Sequence, residues 1–344
     1  MKFHSTPLKF FLFFLILFTA GCQNKSNNNL IAYSGFTMGT TYHIKIINDN
    51  NQITARENFQ NRIDSLLKLV NNEMSTYIDS SEISKFNKYE KNKWFSISDD
   101  FYNVLKVALM ICEGTKGAYD ITVGPLVNLW GFGPSKKINK IPAQTKIDSL
   151  KKMVGYKKLE IRSNPKSIKK SIDGLYLDLS SIAKGFGVDK VSEFLSDNNI
   201  KNFMVEIGGE VRTAGHNQDG GVWEIGISSP DGSNGIAKII PLSGMAMATS
   251  GSYNNYFEVN GKKYSHTIDP RTGWPVKHNL VSVSVLSNSC TLADGLATAI
   301  DVLGPVEGYN FALKEEIPIL IFINENGKFV EKATPSFKKI INIK

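Results

Sequence analysis

The 344-residue sequence is poor in the side chains that most often announce a chemistry, with three cysteines, five histidines and four tryptophans. If Cys22 is spent as described below, only Cys112 and Cys290 remain for a bridge. Cys112 falls in the helical pattern Phe101, Leu105, Ala108, Leu109, and Cys290 lies just before another helical stretch. A bridge and two buried free thiols are equally compatible with those positions. No Gly-x-Gly-x-x-Gly opens a helix, which excludes the Rossmann fingerprint. No basic stripe interleaved with aromatics is present. The lysines come in scattered pairs (136–137, 151–152, 169–170), so the net charge of +8 reads as a solvated surface near anionic headgroups or a phosphate ligand, and not as a nucleic-acid face. There is no internal repeat, no long linker beyond residue 29, and no regular strand-helix alternation.

What the chain does contain begins at its start. Lys2 and Lys9 precede an unbroken apolar run over residues 10–18 that ends in Thr-Ala-Gly-Cys. The run is too short to span a bilayer, and the order basic, apolar, small, Cys is that of an export signal with lipid attached to Cys22 after cleavage at Gly21. Thr19 departs from the aliphatic residue usual there. Residues 23–29 are polar and rich in Asn, as a flexible tether would be. The expected organisation is therefore a signal at 1–21, a tether at 22–33 and one folded unit at 34–344, held on the extracytoplasmic side of a membrane in a bacterial envelope. Loss of the signal lysines lowers the net charge to about +6, since no acid precedes Cys22.

The densest chemistry lies between Tyr264 and Asp301. Tyr-Ser-His-Thr-Ile-Asp-Pro-Arg-Thr-Gly-Trp-Pro-Val (264–276) leads to an alternating strand at 280–286 and then to Cys-Thr-Leu-Ala-Asp-Gly-Leu-Ala-Thr-Ala-Ile-Asp (290–301). Leu292, Leu296, Ala299 and Leu303 form the apolar stripe of a helix. On it Asp294 and Thr298 are four apart and point the same way. A stacked carboxylate and hydroxyl suit a hard cation such as magnesium, shared with a substrate phosphate. The spacing alone also suits a surface Asp near a helix start and a Thr bonded back to its own helix.

Earlier segments carry further signals. A strand near residues 42–47 follows Met38-Gly39-Thr40-Thr41, and a helix with Phe59, Ile63, Leu66, Leu67 and Val70 runs into Met74-Ser75-Thr76-Tyr77 and then Ser81-Glu82-Ile83-Ser84-Lys85-Phe86-Asn87. Gly117-Ala118-Tyr119-Asp120-Ile121-Thr122-Val123-Gly124-Pro125-Leu126 is a shaped loop, with Trp130 and Phe132 as its own small core in the simplest reading. Residues 175–179 read as a strand, followed by Ser180-Ser181-Ile182-Ala183-Lys184-Gly185-Phe186-Gly187. A serine-capped helix start after a strand is an anion site, and Lys184 adds a point charge to it. Residues 135–172 are rich in lysine and uninformative. Gly208-Gly209-Glu210 is a turn where backbone approaches a ligand closely, and Asn260-Gly261 marks a hairpin that delivers His266.

Taken together, these motifs resemble the ApbE family of FAD:protein FMN transferases, over roughly residues 38–313 and with at least five elements in family order. The resemblance implies an α+β, T-fold-like catalytic unit, in line with the irregular mixture of strands and helices. It places Met38, Tyr77, Ala118, Tyr119, Asp120, Asp178 and Lys184 at FAD. It gives magnesium the Ser181 carbonyl with Asp294 and Thr298. Ser181 stands where many relatives have Ala, which matters little to a main-chain ligand. The implied reaction moves FMN from FAD to a Thr or Ser hydroxyl of an exported or membrane flavoprotein subunit and releases AMP. His266 is the candidate base at the same site, because an imidazole titrates near neutral pH; a hydrogen-bonding loop histidine is the plainer reading. An FAD pyrophosphatase and a non-enzymatic flavin-binding lipoprotein are the alternatives.

Overall fold

The computed structural model describes residues 30–49, 58–134, 140–229, 233, 235–251 and 255–341. The signal, Cys22 and residues 23–29 lie outside the described residues. Eight strands form one antiparallel sheet whose order across the sheet is the order along the chain: Leu30–Thr37, Thr40–Ile47, Phe203–Ile207, Glu210–Ala214, Ala246–Gly251, Leu280–Ser287, Ile319–Glu325 and Lys328–Ala333. Three of the connections are two-residue turns, Met38-Gly39, Gly208-Gly209 and Asn326-Gly327, with both residues at positive φ. That is the turn geometry that matches the twist of antiparallel strands. The first strand starts at Leu30 and pairs it with Ile47, so residues 30–33 belong to the fold and not to the tether. As an edge strand it buries little, and its weak alternation after the Asn-rich run hides it in the sequence.

The Leu280–Ser287 strand is buried on both faces for nearly its whole length. The helix Cys290–Lys314 that follows packs on this strand and on Ala246–Gly251, with the helices Ala183–Asp197 and Asp99–Gly114 beside it. Its first three turns are therefore buried almost all round, more than the single stripe expected, and they take Asp294 and Asp301 inside with them. Gly304, at φ 78°, breaks the helix just before Pro305. Proline has no N–H for the carbonyl four residues back, which is that of Asp301. His278 Nε2 donates to this carbonyl at 2.6 Å instead, so the break leaves no orphaned acceptor there. Cys112 and Cys290 are buried free thiols.

The lysine-rich region proves informative after all. The strands Leu159–Ser163 and Lys166–Lys170 pair with Phe95–Ser96 in a small sheet, and Lys170 is only 2% exposed. Its ammonium donates to the carbonyls of Phe86, Asn87 and Leu175 at 3.3, 2.8 and 3.3 Å. Residues 175–179 are extended but join no ladder, contrary to the expected strand. Asn87 substitutes for a neighbouring strand: its amide donates to Leu177 O at 2.9 Å and accepts from Leu177 N at 2.7 Å, while Asp178 N donates to Ile121 O. Replacing Asn87 with Ala should strand both backbone groups and cost about 1–3 kcal/mol. Urea unfolding of the variant checks this, and an unchanged midpoint would show that residues 175–179 are held by other contacts.

Candidate functional site

A cleft of about 410 Å³ opens beside the buried helix. A second lobe of about 640 Å³ adjoins it, with Tyr77, Asp178, Ser180, Lys184 and Asn255 as a shared wall. Met38 lines the second lobe, Tyr77 both, and Ala118, Tyr119, Asp120, Ser181, His266, Asp294 and Thr298 the first. Residues as far apart in sequence as Met38 and Thr298 thus meet in one elongated cavity.

Met38 owes its place to one of the sheet's two-residue turns. It adopts φ 51° at the tip of the first hairpin, a left-handed conformation that costs a non-glycine residue on the order of 1 kcal/mol. A Cβ on Gly187 would come within 2.8 Å of the Met38 methyl, so glycine there makes room for the thioether. Tyr77 is 67% exposed on the rim, free to present its ring face.

At the polar end, Asp294 is 2% exposed, which rules out the surface aspartate that its spacing also allowed. Its Oδ2 accepts from Gly185 N at 2.9 Å. The helix Ala183–Asp197 is capped in this way: no side-chain cap comes from its N-cap Ile182, and the serines read as the cap lie in the preceding turn. The helix start expected to take a ligand anion has one of its amides occupied by the protein's own carboxylate. Lys184 Nζ bonds Glu210 Oε1 at 2.7 Å and stands 3.8 Å from Asp294 Oδ1. Burial pushes both carboxyls up, Glu210 to about 8, while Lys184 opposes the shift. Burial alone would lower the lysine, but the two acids hold its pKa above the usual range, so it stays charged. Thr298 does not turn back on its helix; its hydroxyl lies 3.3 Å from Ser250 Oγ.

Four expected ligand contacts are more structural than their motif implies. Tyr119 is 3% exposed, with its ring in the core and its hydroxyl 3.1 Å from Ser181 Oγ. Ala118 is fully buried and can offer the cleft little beyond backbone. Asp120 Oδ1 accepts from the amide and hydroxyl of Thr122 and Oδ2 accepts from Tyr156 N, so its carboxylate is engaged by its own loop and by the turn at Tyr156. Asp178 likewise accepts from Ser180 N at 2.9 Å. Trp130 packs with Leu126 and Phe132 of its own segment as expected, and it also stacks with Phe257 and Tyr264 and donates Nε1 to Gly273 O, stitching the segment to the hairpin that carries His266.

His266 is half-buried, with the edge of Phe132 against its ring. Its Nδ1 lies 3.0 Å from Asn255 O. A carbonyl only accepts, so Nδ1 carries the hydrogen and Nε2 is left as the basic nitrogen. Burial lowers the imidazole pKa, opposed by Asp301, so the ring is neutral at pH 7. Asp301 is itself buried and accepts from Thr267 Oγ1 at 2.9 Å.

Asp294, Thr298 and the main chain at Ser181 are hard oxygen donors on one cleft, the set that magnesium takes and zinc does not favour. Among the described residues no group of three His, Cys, Asp or Glu side chains could hold a metal. A magnesium ion here would therefore complete its shell with water and ligand phosphate oxygens, as is usual for this ion. The donor set fits the ion.

The family model described as the ApbE family matches residues 38–321. The chain belongs to the ApbE family. It is 42% identical over 335 residues to the FAD:protein FMN transferase of Haemophilus influenzae, covering 96% of each chain. It is 43% identical over 328 residues to that of Vibrio cholerae, covering 95% of this chain and 97% of the relative. The solved structure of the flavin transferase ApbE from Vibrio cholerae superposes with a TM-score of 0.84 at 43% identity, covering 90% of this chain and 98% of the other. The α+β ApbE architecture expected from the motifs is thus the fold observed.

Motif reading passed over Glu210, Asp189 and Asn255. Glu210 follows two glycines at the cleft wall, and a buried acid after such a turn is the signal that could have found it. Gly185 shows how little slack the site has: a Cβ there would lie 2.4 Å from Cys290 O and 2.8 Å from Asp294 Cβ. Helix propensity favours Ala over Gly by about 1 kcal/mol, but overpacking against backbone costs about 1–3 kcal/mol or more. Gly185→Ala should therefore destabilise the protein in urea, and a stabilised variant would disprove the close contact.

Proposed function

We propose that this ApbE-family chain transfers FMN from FAD to a threonine or serine hydroxyl of an exported flavoprotein subunit, with magnesium, and releases AMP. The observation that carries the reading is that a neutral imidazole, a charged lysine and the Asp294–Thr298 pair all line the first lobe of a two-lobed cleft. Bound there, magnesium would neutralise charge on the pyrophosphate as AMP leaves. Lys184 supplies a fixed positive charge to the phosphates, and Met38 and Tyr77 offer polarizable and aromatic surface to the flavin. His266 Nε2 takes the proton of the acceptor hydroxyl, while the Asn255 carbonyl keeps Nδ1 protonated and the ring oriented. Incubation with FAD, magnesium and a flavoprotein subunit should give covalent flavin fluorescence on a denaturing gel. Free FMN with no labelled band would point to FAD hydrolysis instead.

His266→Ala should slow single-turnover transfer by roughly 10²- to 10⁴-fold with little change in FAD affinity. Because burial in the folded site lowers the imidazole pKa from 6.5, the wild-type rate should rise with pH along a limb centred below that value and level off above the limb. Persistence of the limb in the variant would remove His266 as the base.

The same reading places the mature protein on the outer face of a membrane, anchored by lipid on Cys22. Cys22→Ala should move it to the soluble fraction on cell fractionation; retention in the membrane would disprove the anchor.

A further inference from the structure

Asp189 lines neither lobe of the cleft and is 5% exposed, yet it is the most heavily bonded carboxylate near the site. Its Oδ1 accepts from Cys290 N at 2.9 Å and Arg212 Nη1 at 2.7 Å. Its Oδ2 accepts from Ser289 Oγ at 2.8 Å, Thr291 N at 2.9 Å and Thr291 Oγ1 at 2.7 Å. All of these donors but Arg212, which lies on the strand Glu210–Ala214, are the first turn and N-cap of the helix that carries Asp294 and Thr298. Asp189 belongs to the neighbouring helix Ala183–Asp197, whose own first turn is capped by Asp294 through Gly185 N. Each helix thus places a carboxylate on the other's N-terminus, where backbone N–H groups and the helix dipole favour negative charge.

We infer that Asp189 is a positioning residue for the Asp294–Thr298 pair, fixing where their helix begins and how it is rotated. A helix can slide or turn only by breaking its end bonds, and one residue of slippage turns a side chain by about 100° around the axis. With Asp189 in place the helix start is held by both backbone amides and hydroxyls, and the lack of space at Gly185 blocks adjustment toward the neighbouring helix. Asp294 then meets the cleft in one geometry. The inference rests on the reading that Asp294 and Thr298 hold the divalent cation, and it adds the residue that sets their aim.

The test is the magnesium dissociation constant, measured by calorimetry on FAD-saturated full-length protein, with the melting temperature alongside. Asp189→Asn puts an amide N–H₂ against N–H and O–H donors and should weaken magnesium binding about 10-fold or more, the range found for residues that orient metal ligands. Thr291→Val, which keeps its shape and loses one hydroxyl donor, should weaken it less but in the same direction. It carries the test if Asp189→Asn does not fold. Phe337→Leu, in a separate core cluster, should lower the melting temperature and leave the magnesium constant alone, as a merely structural change would. Wild-type magnesium affinity in Thr291→Val, or in folded Asp189→Asn, overturns the inference provided Asp294→Asn binds weakly. Should Asp294→Asn also bind magnesium as wild type does, the cation reading itself has failed.

Discussion

The exchange of carboxylates between two helix N-termini is the constraint on which the site depends. Asp189 and Asp294 sit on adjacent helices, and each satisfies backbone donors in the other's first turn. A buried carboxylate is expensive unless charged and polar donors surround it. Here the donors are helix amides, two hydroxyls, Arg212 and, at longer range, Lys184. Because Asp294 uses only Oδ2 in this exchange, Oδ1 remains toward Lys184 and the cleft. The arrangement that holds two helices together is therefore also what leaves one carboxylate oxygen available at the candidate phosphate end.

The sheet explains why the remaining residues arrive at the same place. Because its strands follow chain order, alternate connections fall at one end. Tyr42 pairs with Ile207, so the Met38-Gly39 and Gly208-Gly209 tips stand side by side, and Gly208 N donates to Thr41 O. The strand Ala246–Gly251 pairs its first residues with Val211 and Arg212, so its far end reaches past Glu210 and carries Ser250 to Thr298. A long insertion between the second and third strands then supplies the helices and loops with Tyr77, Tyr119, Asp178 and Lys184.

How much of this was legible in the sequence follows the range of the interaction concerned. The turn at Asn260-Gly261 and the helix containing Cys112 are written in neighbouring residues, and they form as read. The site residues named by motif all reach the cleft. What the motifs did not disclose was partnership: Asp189 with Thr291, Asn87 with Leu177, Lys170 with Phe86, and Asp294 in the place of a serine cap. Each joins residues more than 80 apart, and nothing local distinguishes the buried Lys170 from the half-buried Lys166 and Lys169. Asp120 and Tyr119 illustrate the converse, since a motif locates them correctly while their carboxylate and ring are spent on backbone amides and the core.

Asp294 and His266 line the same lobe but are supported by different kinds of contact. Asp294 rests on helices tied at their first turns by charge-assisted bonds, with no space for a single added methyl at Gly185. His266 follows the hairpin Tyr256–Val259 and Lys262–Ser265, held by aromatic stacking on Trp130 and by two bonds to the carbonyl of Asn255. Stacking fixes a layer without fixing register as hydrogen bonds do. Phosphate chemistry needs fixed charges at set distances, and the hydrogen-bonded contacts are those that hold Asp294 and Lys184, while ring stacking supports the segment that carries the imidazole.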